Sequence, residues 1–250
     1  MSEPGGARVW DETFAVRSFD VDRDGDLTPM ALFCWLLEAA GRHARALGWG
    51  IQELQREGQT WMLSRCLMEV RHLPRWGDTV TVRTWPSGIE RLFALRELRL
   101  LDGQGETLAR ATSAWLLLQA DTRRPLRPPP ELVALAEATP GRGDELPWES
   151  LPELEHAATA GVFRPRSFDL DINGHVTAAS LLRWVLESLS DETLTQRRLA
   201  WLAIEFRAEV RLGDDVLGEV EPHGGGMLHC LRRVRDGRPV VRGRTAWRSR

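Results

Sequence analysis

The chain has no lysine and no tyrosine: all 33 basic residues are arginine, while tryptophan occurs 11 times. The arginine bias reads as codon composition rather than chemistry. Cysteine is scarce, with Cys34, Cys66 and Cys230 far apart and odd in number. Without a CxxC or a Cys/His spacing, neither a zinc site nor a disulfide framework is implied. The opening MSEPGGARVWDE lacks a basic segment followed by an apolar one, so no signal peptide is read there. No apolar run approaches the roughly 18 residues that would cross a bilayer. A cytoplasmic, reducing location without membrane insertion is therefore expected. GxSxG, P-loop and GxGxxG patterns are absent, which removes serine-hydrolase and nucleotide-binding readings. The net charge is only −3, so no global basic field points to nucleic acid.

What is present in bulk is ordinary. Of 250 residues, 42% are hydrophobic and 28% charged, enough to bury a core in one large domain or two modest ones.

The informative feature is that the chain repeats itself. Arg17-Ser-Phe-Asp-Val-Asp22 returns as Arg166-Ser-Phe-Asp-Leu-Asp171. Without a gap, Asp24-Gly-Asp-Leu-Thr28 then faces Asn173-Gly-His-Val-Thr177, and Trp35-Leu-Leu-Glu38 faces Trp184-Val-Leu-Glu187. Further on, Met68-Glu-Val-Arg71 through Gly77-Asp78 returns as Ile204-Glu-Phe-Arg207 through Gly213-Asp214, and Thr112-Ser-Ala-Trp115 as Arg244-Thr-Ala-Trp247. Preserved order means two copies of one module, expected over 1–120 and 161–250, with a Pro-, Arg- and Glu-rich linker over 121–160.

Each copy predicts a leading strand (about Thr13 to Phe19; Val162 to Phe168), an Asp/Gly turn, a helix and four strands. Thr28 before Pro29 is a good helix cap, and Thr177 is its counterpart. Met30, Phe33, Leu36, Leu37 and Ala40 keep helical spacing on a helix apolar over most of its surface. The strands are expected near Trp61–Leu73, Thr79–Trp85, Phe93–Leu100 and Thr107–Leu118. In the second copy they are expected near Leu199–Val210, Val216–Glu221, Met227–Val234 and Val240–Trp247. One short helix is expected near Leu132–Ala138. A helix against an antiparallel sheet is an α+β layer.

The copies differ in a directional way. Asp26 is replaced by His175, Asp24 by Asn173 and Leu73 by Glu209, while Asp22 is kept as Asp171. Only the second copy combines Asp171, Asn173, His175 and Glu209. If extended, Asp171, Asn173 and His175 would project together just before a helix N-terminus. Such a terminus can polarise a carbonyl oxygen, and a histidine with a carboxylate can activate water. The other histidines, His43, His72, His156, His223 and His229, lack this company and read as surface or strand residues. Glu187 is expected to pack or pair structurally, because its twin Glu38 lies in the copy without the set. In the first copy Asp20-x-Asp22-x-Asp24-Gly25 mimics a calcium loop, but Ala31 stands where the bidentate Glu belongs and Pro29 interrupts it. A degenerate form of the second copy's loop explains it.

Asp171-Ile-Asn173-Gly-His175-Val176, with Trp184 and Glu187 behind it, resembles the Asp-x-Asn-x-His-Val…Trp…Glu signature of the plant and bacterial acyl-ACP thioesterases, a tandem hot-dog family. Ile204-Glu-Phe-Arg-Ala-Glu209 is similar to the strand that carries that family's catalytic Glu. Pro74-Arg-Trp-Gly-Asp-Thr-Val80, Ala111-Thr-Ser-Ala-Trp115 and Thr122-Arg-Arg124 are also typical, so the resemblance runs over nearly the whole chain. It departs at Thr177-Ala178, where Asn-Asn is usual, and at Val210, where a cysteine once favoured as nucleophile often stands.

The resemblance implies a tandem hot-dog fold. It also implies hydrolysis of fatty acyl-ACP thioesters to free fatty acid and holo-ACP, with no cofactor and no metal. Its partner would be an acyl carrier protein bearing a phosphopantetheine-linked acyl chain. Glu209 and His175 would activate water, Asn173 and the helix N-terminus would hold the oxyanion, and Asp171 would orient them or attack directly. Met30, Phe33, Leu36, Leu37, Trp61 and Leu63 would line an acyl tunnel, although core packing is the simpler reading for most. Arg123, Arg124 and Arg127 would dock the acidic carrier, or form a solvated basic linker. An acyl-CoA hydrolase and a non-catalytic acyl-binding module stay open as alternatives, as do a monomer and a homodimer.

Overall fold

A computed structural model describes residues 8–139 and 146–250. Residues 1–7, on which the signal-peptide reading falls, and 140–145, inside the expected linker, lie outside the described residues. The chain divides into two compact units, one running to Pro147 and one from Trp148 onward, with Arg65–Leu67 grouped with the second.

The first unit runs β1 (Trp10–Ala15), α1 (Pro29–Ala46), α2 (Ile51–Arg56), β2 (Gln59–Val70), β3 (Thr79–Glu90), β4 (Phe93–Leu101), β5 (Thr107–Gln119) and α3 (Pro130–Ala138). Its strands lie in the order β1-β3-β4-β5-β2. The second unit runs β6 (Ala158–Phe163), α4 (Ala178–Glu187), α5 (Asp191–Gln196), β7 (Arg197–Phe206), β8 (Val216–His223), β9 (Gly226–Arg233) and β10 (Pro239–Ser249). Its order is β6-β8-β9-β10-β7, the same permutation. The internal repeat is thus a repeat of topology: a central helix against an antiparallel sheet, the α+β hot-dog arrangement.

The helix forms for local reasons in both copies. Thr28 Oγ1 accepts the Ala31 N–H at 3.1 Å, and Pro29 takes the first-turn position where a missing N–H costs nothing. Thr177 Oγ1 likewise accepts from Ser180 N at 3.0 Å. Leu32, Phe33, Trp35, Leu36 and Ala39 bury one broad face of α1. The leading strand is pinned to the helix by an aromatic pair in each copy. Phe14 stacks on Trp35 at 5.0 Å, and Phe163 on Trp184 at 5.6 Å. Such a pair adds about 0.5–1.5 kcal/mol beyond the area it buries.

Several boundaries differ from expectation. The leading strands end at Ala15 and Phe163, and Ser167–Asp169 instead forms a 3-10 turn that leaves Phe168 exposed. Strand β3 continues through Pro86 to Glu90, because a register shift between Pro86 and Gly88 places the proline at an irregularity. Strand β7 stops at Phe206, so Glu209 lies in the following loop rather than on the strand. Helices α2 and α5 carry too few apolar residues to announce themselves. His43, expected at the surface or on a strand, is fully buried on α1 and stacks on Trp10 at 6.0 Å. Within the expected linker, α3 buries Leu132 and Ala136. Among the described residues no helix is long and apolar enough to cross a membrane.

Candidate active site

The turn that precedes α4 is built by one carboxylate. Asp171 Oδ1 accepts the N–H groups of Asn173 at 2.8 Å and His175 at 3.0 Å, and the Asn173 amide lies 3.4 Å from Oδ2. Two backbone bonds, Asp171 N–H to His175 O and Gly174 N–H to Asp171 O, close the loop, and Gly174 supplies its positive φ of 74°. The segment is therefore a tight turn and not the extended run that simple alternation would give. Asp171, Asn173 and His175 still come together, because the turn wraps the latter two around the first.

Glu209 reaches this turn through a second backbone clasp. Val176 N–H donates to Val210 O at 2.8 Å, and His175 pairs with Arg211 in an isolated bridge. His175 Nε2 then lies 3.0 Å from Glu209 Oε2, a close polar contact whose approach falls outside hydrogen-bond geometry. The His175 side chain is 13% exposed and that of Glu209 28%, so both are largely but not fully shielded from solvent. The Asp171 and Asn173 residues are exposed.

Two arginines that sequence reasoning missed complete the surroundings. Arg211 Nη2 stands 3.8 Å from Glu209 Oε2. Arg233 Nη1 donates to the Glu209 carbonyl at 2.8 Å, while its Nη2 is held by Asp236 at 2.6 Å. Its guanidinium holds the Asp236 carboxyl down to about 2. Arg233 lies on β9, 24 residues from Glu209, and no local sequence signal connects them. Glu187 pairs with Arg183 at 3.8 Å on the helix surface.

The first copy holds the same scaffold with different side chains. Asp22 Oδ1 accepts from Asp24 N at 2.9 Å and Asp26 N at 3.1 Å, and Leu27 N–H donates to Pro74 O. Where His175 meets Glu209, Asp26 instead stands 3.8 Å from Arg75. Asp20 is bonded to Arg17, so the calcium-like spacing spends its carboxylates on the turn and an ion pair. Among the described residues no cluster of three or more potential metal ligands forms.

The first unit also holds an apolar cavity of about 610 Å³ counting its open mouth, with Leu37 and Trp61 on its wall. Phe33, Leu36 and Leu63 belong to the buried core, and Met30 is half-buried at the start of α1. Arg124 and Arg127 are exposed and Arg123 half-buried, in a turn where Arg123 N–H donates to Gln119 O.

A family model described as the acyl-ACP thioesterase N-terminal domain matches residues 7–136. The acyl-ACP thioesterase C-terminal domain matches residues 153–249. The chain belongs to the acyl-ACP thioesterase family. Among its curated relatives, acyl-[acyl-carrier-protein] hydrolase FATB2 of Cuphea viscosissima is 29% identical over 97% of this chain. The chain spans 63% of that relative's length. Dodecanoyl-[acyl-carrier-protein] hydrolase of Cinnamomum camphora is 30% identical, covering 97% of this chain and 68% of the relative. Both are described as chloroplastic. Among solved structures, the 12:0-ACP thioesterase from Umbellularia californica superposes with a TM-score of 0.85 at 26% identity, covering 98% of each chain. The acyl-ACP thioesterase from Bacteroides thetaiotaomicron VPI-5482 shares the fold, with a TM-score of 0.87 at 24% identity over 99% of this chain and 100% of that one.

Proposed function

We propose that this member of the acyl-ACP thioesterase family hydrolyses fatty acyl-ACP, with the second half carrying the chemistry and the first half holding the acyl chain. The observation that carries the reading is the His175–Glu209 contact, 3.0 Å long. It sits on a turn that both copies share but that only the second equips for proton transfer.

In this scheme Glu209 and His175 take a proton from water as its oxygen attacks the thioester carbonyl carbon. Negative charge gathers on the carbonyl oxygen, where the Asn173 amide and the N-terminus of α4 stabilise it. The carbon–sulfur bond breaks, and the departing thiolate recovers a proton, leaving a free acid and a thiol. Asp171 acts as a positioning residue, since its Oδ1 is already engaged by the Asn173 and His175 N–H groups. The apolar cavity, with Leu37 and Trp61 on its wall, takes the chain. Met30, Phe33, Leu36 and Leu63 act behind it, as the core that shapes it. Arg123, Arg124 and Arg127 form the docking surface for the acidic carrier, because guanidinium groups pair well with carboxylate and phosphate.

Matched acyl-ACP and acyl-CoA series, hydrolysed by the natural chain and by His175→Ala, test the reading. Faster release from ACP, lost in the variant, is the expected result. Preference for CoA would overturn the partner and keep the chemistry. Acyl binding without turnover on either would replace hydrolysis with a binding role.

A further inference from the structure

The cavity of the first unit has one feature that a plain hydrocarbon chain does not need. Its wall is carbon and tryptophan except for Arg96, on β4, the one charged side chain among the described lining residues. Arg96 Nη1 donates to Thr84 Oγ1 at 3.1 Å and lies 3.0 Å from His43 Nδ1. Both partners are fully buried, and Thr84 Oγ1 in turn donates to the Glu97 carbonyl at 2.8 Å. These contacts hold the guanidinium in place but leave its charge uncompensated. No carboxylate lies within ion-pair distance of it among the described residues, and its Nε and Nη2 have no protein hydrogen-bond partner there. Burial alone pushes it down to about 10, with no neighbouring charge contributing, so it stays cationic at neutral pH. Protein atoms wrap the group, and the residue, half-buried as a whole, lines the cavity.

An aliphatic chain laid against this wall would strip water from a cation and return nothing, which is costly. A chain bearing an anionic oxygen at that depth would recover a charge-assisted, two-pronged contact through the free nitrogens. We infer that the first-half cavity selects acyl chains carrying a carboxylate at the end remote from the thioester, with Arg96 as the residue that reads it. This rests on the reading that the first half holds the acyl chain.

The test separates the two. Amide analogues of N-acetylcysteamine thioesters have an uncharged head and are not hydrolysed, so the only carboxylate is the one placed at the remote end. Binding of matched methyl-ended and carboxylate-ended analogues, over a series of lengths, is measured by calorimetry on the whole chain, Arg96→Met and Arg96→Lys. The expected result is that the natural chain binds the carboxylate-ended analogue tighter by about tenfold or more at the best length. Arg96→Met should abolish or reverse the preference, and Arg96→Lys should keep part of it. If Arg96→Met does not fold, the natural chain against Arg96→Lys still decides. Equal or tighter binding of the methyl-ended analogue by the natural chain would overturn the assignment, and so would a preference that survives in folded Arg96→Met. Loss of hydrolysis on every acyl-ACP together with an intact binding preference would sink the hydrolase reading and leave the Arg96 assignment standing.

Discussion

His175 Nε2 stands 3.0 Å from Glu209 Oε2, although 33 residues separate them in the chain and neither lies on a helix. The distance is set by backbone: the Asp171 turn presents one partner, and the Val176–Val210 hydrogen bond brings the loop of the other alongside.

His175→Ala and Glu209→Gln should each lower kcat by about 10²–10⁴. If the two act as one unit, the double variant should be little worse than the poorer single one. Steady-state rates on acyl-ACP check this, and simple multiplication of the two losses would show that they act separately.

Asp171→Asn should preserve the turn, because an amide oxygen accepts the same two N–H groups as the carboxylate. As a positioning residue, Asp171 should lose less than about tenfold in kcat on this change. No acyl-enzyme should be trapped by rapid quench of the natural chain. A covalent adduct at Asp171, lost together with all turnover in the variant, would make it the nucleophile instead. Asp171→Ala, which removes both bonds, should cost about 1–2 kcal/mol of stability.

Gly174→Ala isolates backbone strain from crowding. A methyl group there would meet no atom within 4 Å, but the residue's φ is +74°. The expected loss is about 1–2 kcal/mol in denaturant unfolding. Because relaxing the turn moves His175, kcat should fall while binding of an uncleavable acyl analogue holds. An unchanged kcat would mean that the turn is not what aligns the pair.

His229, 1% exposed, should make the fold acid-sensitive. Its Nε2 lies 2.9 Å from Thr245 Oγ1, and burial pushes the imidazole from 6.5 down to about 4. The unfolded chain therefore takes up the proton first. Stability contributed by the neutral ring is fully present above about pH 6.5, falls as pH drops and is lost by about pH 4, amounting to about 3 kcal/mol. His229→Leu should flatten the unfolding free energy across that window relative to the natural chain. Thr245 Oγ1 keeps the Trp247 N–H at 2.9 Å in its place. Parallel pH profiles of the two proteins would contradict this.

The duplication, the leading strand, central helix and four further strands of each copy, and Asp171, Asn173, His175 and Glu209 as candidates are legible in the sequence, whereas α2 and α5 are not. Period, caps and turn residues are local signals, and an internal repeat compares the chain with itself. Comparing Asp26 with His175 and Leu73 with Glu209 singles out, from sequence alone, the pair that the fold brings to 3.0 Å. The turn geometry was less legible. Alternation along Asp171–His175 suggests an extended segment, whereas the Asp171 carboxylate competes successfully for two backbone N–H groups and curls it. Long-range partners were not legible at all. Arg233 under Glu209, and Arg96 against His43 and Thr84, join residues from different strands or from strand and helix. A buried arginine is written in the sequence in the same way as an exposed one. Only the register of the sheet and the packing of α1 onto it decide which guanidinium loses its water and which keeps it.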